Sequence, residues 1–277
     1  MTGKWWRSVV PDRGDPPPVI DTSVAHPARV YDYWLGGKDN FAADREVGEQ
    51  TLRAYPDLAL AVRGNRAFLG RAVRYLVGEA GVRQFLDIGT GLPTGNNTHE
   101  VAQAVAPESR IVYVDNDPIV LAHAHALLTS TPEGTTTYLD ADLQDTGTVL
   151  AEAARTLDMA QPTAVMLLAI LQFIPADEDP YGLVTRLMDA MPPGSFLVIS
   201  HPTADFSPKE AADSIGRYNE QVAVSATLRP RDETARFFDG LDLVEPGVVA
   251  TSKWRPHSEE EAASPASAWA GVGRKSG

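Results

Sequence analysis

Five short apolar runs, at residues 84–88, 110–114, 135–139, 163–168 and 195–200, alternate with stretches able to form helices. This alternation constrains the fold more than any other feature of the chain. Strands joined by helical crossovers pair in parallel, and near-continuous apolar runs require both faces of the sheet to be covered. Two more strand candidates, Leu243 to Thr251 and Ala268 to Arg274, follow a helical region and bring the expected count to seven. The expected fold class is therefore α/β, a mostly parallel sheet with helices on both faces. A chain of 277 residues suits one such domain with appended ends.

Helical patterns are expected over 23–33, 40–54, 64–80, 208–226 and 232–238. Within 64–80, Phe68, Ala72, Tyr75 and Leu76 share one stripe, with arginines largely opposite. Gly36-Gly37-Lys38-Asp39 breaks the first two helices and is a candidate functional loop. The expected organisation is a flexible arm over 1–19, held extended by Pro16 to Pro18; a helical lid and lead-in helix over 20–80; and a ligand-binding domain over 81–277. Ser258 to Pro265, with three consecutive glutamates, reads as a solvated loop.

Composition narrows the partners. A net charge of −13 argues against a phosphate-backbone partner, which selects for basic stripes. The absence of cysteine excludes disulfides, thiolate metal sites and a cysteine nucleophile. No run resembles a signal peptide or a membrane span, so a cytoplasmic protein without a membrane partner is expected. No metal is expected: His123 and His125, two apart on a helix, face different sides. Oligomeric state stays open.

Gly89 and Gly91 follow the first strand and precede a helical stretch at 96–105, where glycines permit close backbone approach to a ligand at the strand's carboxyl end. Alone, such a turn is equally a tight strand-to-helix connection. Asp87 stands two residues before Gly89, and a carboxylate there suits the amino group of a bound amino-acid moiety but repels a pyrophosphate. Pro93, near the place of a third glycine, weakens a dinucleotide reading further. The second strand ends in Asp115, placed to accept both hydroxyls of a ribose. After the third strand, Asp142 can accept from an adenine amine while the Leu143 amide donates to the ring.

Together, Asp87-x-Gly89-x-Gly91, Asp115 and Asp142 resemble the ordered motifs of class I S-adenosylmethionine-dependent methyltransferases, whose Rossmann-like sheet has six parallel strands and an antiparallel seventh. Ala28 to Arg45, with its Tyr31-Asp32-Tyr33-Trp34-Leu35-Gly36-Gly37 core, is similar to the signature of an actinobacterial S-adenosyl methyltransferase family of unassigned acceptor. Asn65 to Leu69, Leu228 to Arg231 and Trp269 to Lys275 extend that resemblance over about 20–275. It implies S-adenosyl-L-methionine as cofactor, with Arg66 pairing with its carboxylate. Thr90 in the glycine turn, Asn116 beside Asp115 and Leu168 at the end of strand four complete the implied cofactor set.

Methyl transfer from a sulfonium is an in-line displacement, so alignment and exclusion of water are the main tasks. Tyr31 to Asn40 is the candidate lid, with Tyr31 and Tyr33 facing a small-molecule acceptor. Gln172, the polar exception in an apolar run after strand four, is a candidate substrate ligand. His201, directly after strand five, is the candidate general base. Because no acceptor-activating constellation is unmistakable, a noncatalytic S-adenosylmethionine-binding or regulatory protein is the alternative. A nicotinamide-dependent oxidoreductase rests only on the general βαβ pattern.

Overall fold

The computed structural model describes residues 21–127, 130–222 and 224–277, without the side chains of 124–127. The expected arm at 1–19 and the side chain of His125 lie outside the described residues. Strands β1 (Gln84–Ile88), β2 (Arg110–Asp115), β3 (Thr135–Asp140), β4 (Thr163–Leu168) and β5 (Phe196–Pro202) are mutually parallel, in the order β3-β2-β1-β4-β5. The expected strand at 243–251 is instead two short pieces, β6 (Asp242–Leu243) and β7 (Val249–Ala250). Both pair antiparallel with β8 (Ala268–Arg274), which lies antiparallel beside β5. A turn at Gly247, with φ +84°, separates the two pieces, so the run cannot remain one straight strand.

Alternation along each strand divides the core into two layers. Leu86, Ile88, Val112 and Val114 face one layer, shared with helices α6 (Thr146–Ala153) and α7 (Pro180–Asp189). Phe85, Ile111 and Tyr113 face the other, shared with α3 (Leu58–Gly78) and α4 (Thr98–Val105). Helix α5 (Pro118–Leu127) joins β2 to β3, and α9 (Arg231–Ala235) and α10 (Glu259–Ala263) are short late helices.

The segment before β1 builds a separate cluster. Helices α1 (Pro27–Leu35) and α2 (Ala42–Ala54) pack with α8 (Pro208–Asn219), so that Val30, Val47 and Tyr218 share an apolar core with Trp34, Phe173 and Ile215. The Arg29–Asp44 ion pair joins α1 to α2. It is fully buried, with Arg29 Nε 3.1 Å from Asp44 Oδ1, and Asp44 also accepts from the His26 and Phe41 amides. Such a pair fixes geometry more reliably than it adds stability, because desolvation offsets most of the attraction.

Three local expectations change. Helix α3 begins at Leu58, and Arg71, expected on its basic face, is buried. Its guanidinium donates to the carbonyls of Thr251 and Trp254 and pairs with Glu261. The 258–265 stretch accordingly holds a helical turn, α10, capped by the Ser258 hydroxyl and anchored through Glu261 rather than fully solvated. Finally, β5 runs on through Pro202, so His201 lies within the strand and pairs with Trp269 of β8.

Candidate functional site

At the carboxyl ends of β1, β2 and β4 lies one cavity of about 450 Å³, within the range of small-molecule sites. Its floor is the turn after β1. Gly89 and Gly91 adopt φ +72° and +67°, a region that disfavours any side chain. Ile170 fills the space a Cβ on Gly89 would need, whereas a Cβ on Gly91 would meet nothing within 4 Å. The turn is pinned to the neighbouring strand: the Gly89 amide donates to Val114 O (2.8 Å), and the Gly91 amide to Asp115 Oδ2 (2.8 Å).

Strand alternation puts Asp87 on the α3/α4 face. There its Oδ2 accepts from the Thr98 hydroxyl (2.6 Å), while Oδ1 receives no hydrogen bond from a described residue. Burial pushes its carboxyl up to about 6, opposed by the Thr98 bond and the charge of Arg66. Asp115 is likewise raised by burial, although Asp117 and Gly91 amides donate to it. Both carboxylates therefore stand to gain from further donors or a cation.

Arg66 lies across from the turn. Its Nη2 makes long contacts of 3.3–3.4 Å to Gly95 O, Asn96 O and Asn97 Oδ1, and its other nitrogens bond to no described residue. Asp142 accepts from Asn116 Nδ2 (3.1 Å) and the Gln144 amide (2.8 Å), while the Leu143 amide donates to no described atom. Arg66, Asp87, Gly89, Thr90, Gly91, Asp115, Asn116, Asp142, Leu143 and Leu168 all line this one cavity. The open cradle at Gly91, the underpartnered Asp87 and the guanidinium with spare donors fit the amino-acid and ribose portions of S-adenosyl-L-methionine.

The expected acceptor-side residues divide. Tyr31 lines the cavity, its hydroxyl accepting from Asn65 Nδ2 (2.9 Å). Gln172 lines it too; Nε2 donates to Ala169 O (2.7 Å), and Oε1 is buried with no donor. Tyr33 does not reach the cavity. Its ring lies against Gly48 of α2, where a Cβ would collide with it. In the expected loop, Gly36 ends α1 with φ +85°, and Gly37 packs against the Asp32 carboxylate, which accepts from the Asp39 amide and Asn40 Nδ2.

His201 is not brought to the cavity either. It shares the parity of Leu197 and Ile199 and stacks on Phe237 in the opposite core layer, at 6.1 Å between ring centroids. Its Nδ1–H donates to Pro202 O (2.9 Å), and its Nε2 accepts from Arg229 Nη1 (2.7 Å). With no lone pair to spare and burial pulling its pKa down to about 3, it cannot collect a proton at neutral pH. Through Arg229, which also donates to Leu171 O and Ile174 O, it fixes the loop after β4.

Residues that sequence reasoning passed over include His26 and Asp117. His26 caps α1, and its Nδ1 lies 2.8 Å from Asp117 Oδ2, linking the N-terminal helices to the loop after β2. The His26-Pro27 pair before a helical run is the signal that marks this cap.

A glycine turn flanked by Asp87 and Asp115, on a parallel sheet closed by an antiparallel strand beside β5, defines a class I S-adenosylmethionine-dependent methyltransferase. The chain belongs to the S-adenosyl methyltransferase family, whose model matches residues 13–276. It is similar to a solved DUF574 family protein from Streptomyces avermitilis, with 46% identity over 93% of this chain and 100% of that one, at a TM-score of 0.90. A candidate methyltransferase from Thermobifida fusca shares 40% identity over 95% and 99% of the two chains, at a TM-score of 0.84. An S-adenosylmethionine-dependent methyltransferase from Anabaena variabilis, only 10% identical, shares the fold at a TM-score of 0.51 over 94% of this chain and 100% of that one. No curated protein matches the chain.

Proposed function

We propose that the chain transfers a methyl group from S-adenosyl-L-methionine to an oxygen or nitrogen of a small-molecule acceptor. The carrying observation is that Asp87 and Asp115 open onto the same cavity that continues past Leu168 toward Gln172 and Tyr31. In this reading Asp87 holds the cofactor's ammonium and Arg66 its carboxylate. Asp115 holds the ribose hydroxyls, with Asn116 alongside, and Asp142 and the Leu143 amide hold the adenine. Gly89, Thr90 and Gly91 form the backbone cradle.

When bound, the cofactor supplies an electrophilic methyl on a sulfonium. The chain's own residues then align the acceptor and exclude water. Gln172 and Tyr31 orient the acceptor, and α1 with the 36–40 loop acts as the lid, tied to the cofactor side by His26 and Asp117. His201 takes no part as a base. A net charge of −13 supports a small molecule over a nucleic acid.

Calorimetry with S-adenosylhomocysteine tests the cofactor half: saturable binding is expected, and none at millimolar ligand would sink the reading. Incubation of the protein and S-adenosyl-L-methionine with a small-molecule extract should release S-adenosylhomocysteine. Release from a macromolecular fraction alone would remove the acceptor class.

A further inference from the structure

The charged residues lining the cavity are unevenly spread. Arg66, Asp87, Asp115 and Asp142 lie at or across from the strand ends and the turn after β1, whereas Asp32 of α1 is tied to the Asp39 amide and Asn40. Helix α8, at the other end, contributes Ala211, Ser214, Ile215 and Tyr218 to the lining, spaced as one helical stripe, while its Lys209, Glu210, Asp213 and Arg217 are exposed to solvent. Facing it are Trp34 and Leu35 of α1, Tyr55 and Leu58 near the start of α3, Phe173, and Leu228. Apart from Asp32 of α1, whose carboxylate already accepts from the Asp39 amide and Asn40 Nδ2, no Asp, Glu, Lys or Arg from these segments lines the cavity among the described residues.

Two polar atoms there lack partners. The Tyr218 side chain is buried, 5% exposed, and its hydroxyl bonds to no described residue. Burial accordingly raises its pKa and keeps the phenol protonated. Gln172 Oε1 is a buried acceptor with no donor, while the Gln172 carbonyl is bonded by the Thr227 amide, which holds it against the segment leading to Leu228. Trp34, by contrast, is satisfied: its Nε1–H donates to Gly48 O (3.2 Å), leaving its ring to pack on Tyr218 at 6.2 Å. A buried acceptor without a donor is costly to leave unmade, so a ligand bearing O–H or N–H is favoured there.

We propose that the acceptor is an electrically neutral, mainly apolar molecule carrying a hydroxyl or N–H. Its hydrocarbon or aromatic body lies between α1 and α8, and its donor meets Gln172. The inference rests on the methyltransferase reading for the use of this site, but its chemistry is set by the compartment alone. Against α8, Phe173 and Leu228 an ionised acceptor body would be stripped of water with no counter-charge from those residues.

A matched set of probes tests this with the full chain: 2-naphthol, 2-naphthoate and 2-(aminomethyl)naphthalene, titrated at neutral pH with and without S-adenosylhomocysteine. Neutral 2-naphthol should bind about tenfold or more tighter than either ion. Ile215→Asp should weaken naphthol binding by about tenfold while S-adenosylhomocysteine affinity stays within about twofold, which also shows that the variant folds. Tyr218→Phe should cost naphthol about threefold to tenfold. Equal or tighter binding of either ion, or failure of naphthol to bind in both conditions, overturns the proposal. Loss of S-adenosylhomocysteine binding with naphthol preference intact instead overturns the cofactor reading and leaves this one standing.

Discussion

The two ends of the cavity are built by different means. At the proposed cofactor end, the acidic groups Asp87, Asp115 and Asp142 sit at or just beyond strand termini, held by bonds such as Gly91 N to Asp115 Oδ2, and only Arg66 comes from a helix. At the acceptor end, the wall is assembled from segments remote in sequence: Trp34 of α1 touches Tyr218 of α8, and Phe173 joins both. The first is charged and locally specified; the second is apolar and depends on helix packing. In the proposed reading, substitutions in the second wall would change what is methylated while leaving the donor's contacts in place.

The largest expected effect lies in the frame of the proposed acceptor end. Asp44→Ala leaves Arg29 buried and unpaired, and urea unfolding should show a loss of about 3–5 kcal/mol. A loss under about 1 kcal/mol would mean that the α1–α2 pair does not hold that wall. The cofactor end is next: Asp115→Ala should weaken S-adenosylhomocysteine by about 1–3 kcal/mol in calorimetry, yet leave 2-naphthol binding unchanged. Parallel losses of both ligands would show that the two ends are not separate.

Titration sharpens the contrast further. Asp87 has its folded pKa raised from 3.8 to about 6, so the folded apo protein holds a proton that the unfolded chain releases. Its contribution favours folding at low pH and is lost as pH rises between those values, and Asp87→Asn should stabilise the apo protein at neutral pH by on the order of 1–3 kcal/mol. A ligand ammonium reverses this preference. Affinity for S-adenosylhomocysteine should rise as pH increases toward about 6 and flatten above it, whereas 2-naphthol binding should show no such step. A flat S-adenosylhomocysteine profile would remove Asp87 from the ammonium.

His201 gives a smaller effect with the opposite sign. Its folded pKa is depressed from 6.5 to about 3, so its contribution is present above the unfolded value and is lost as pH falls through that window. His201→Gln should cost about 1–2 kcal/mol at neutral pH because Arg229 loses a buried partner. The pH dependence of methyl transfer near neutrality should not move, and a shifted limb in the rate profile would restore His201 as a base. Smallest of all, Tyr33→Leu should leave both ligand affinities within about twofold, because its ring packs on α2 outside the cavity.

Much of the cofactor end was legible along the chain because strands and their terminal residues are local features. Apolar runs place β1 and β2, and Asp87, Gly89, Gly91 and Asp115 follow from their position relative to those runs. His201 stands near a strand end, but it alternates with Leu197 and Ile199 to where Phe237 stacks on its ring and Pro202 O and Arg229 occupy both its nitrogens. Arg71 is a related case. A helix pattern shows a polar face, but not that the Thr251 and Trp254 carbonyls would cover it.

The chain by itself determined the parallel sheet and the donor turn, since periodicity, glycine conformation and strand-end carboxylates act over a few residues. Tertiary structure decided that Tyr33 turns away while Tyr31 faces the cavity, that β5 continues past His201, and that α8 brings Ala211, Ile215 and Tyr218 to the same cavity as Gln172. Those outcomes depend on which distant surfaces exclude water from one another, and burial of that kind is a property of the packed chain rather than of any segment.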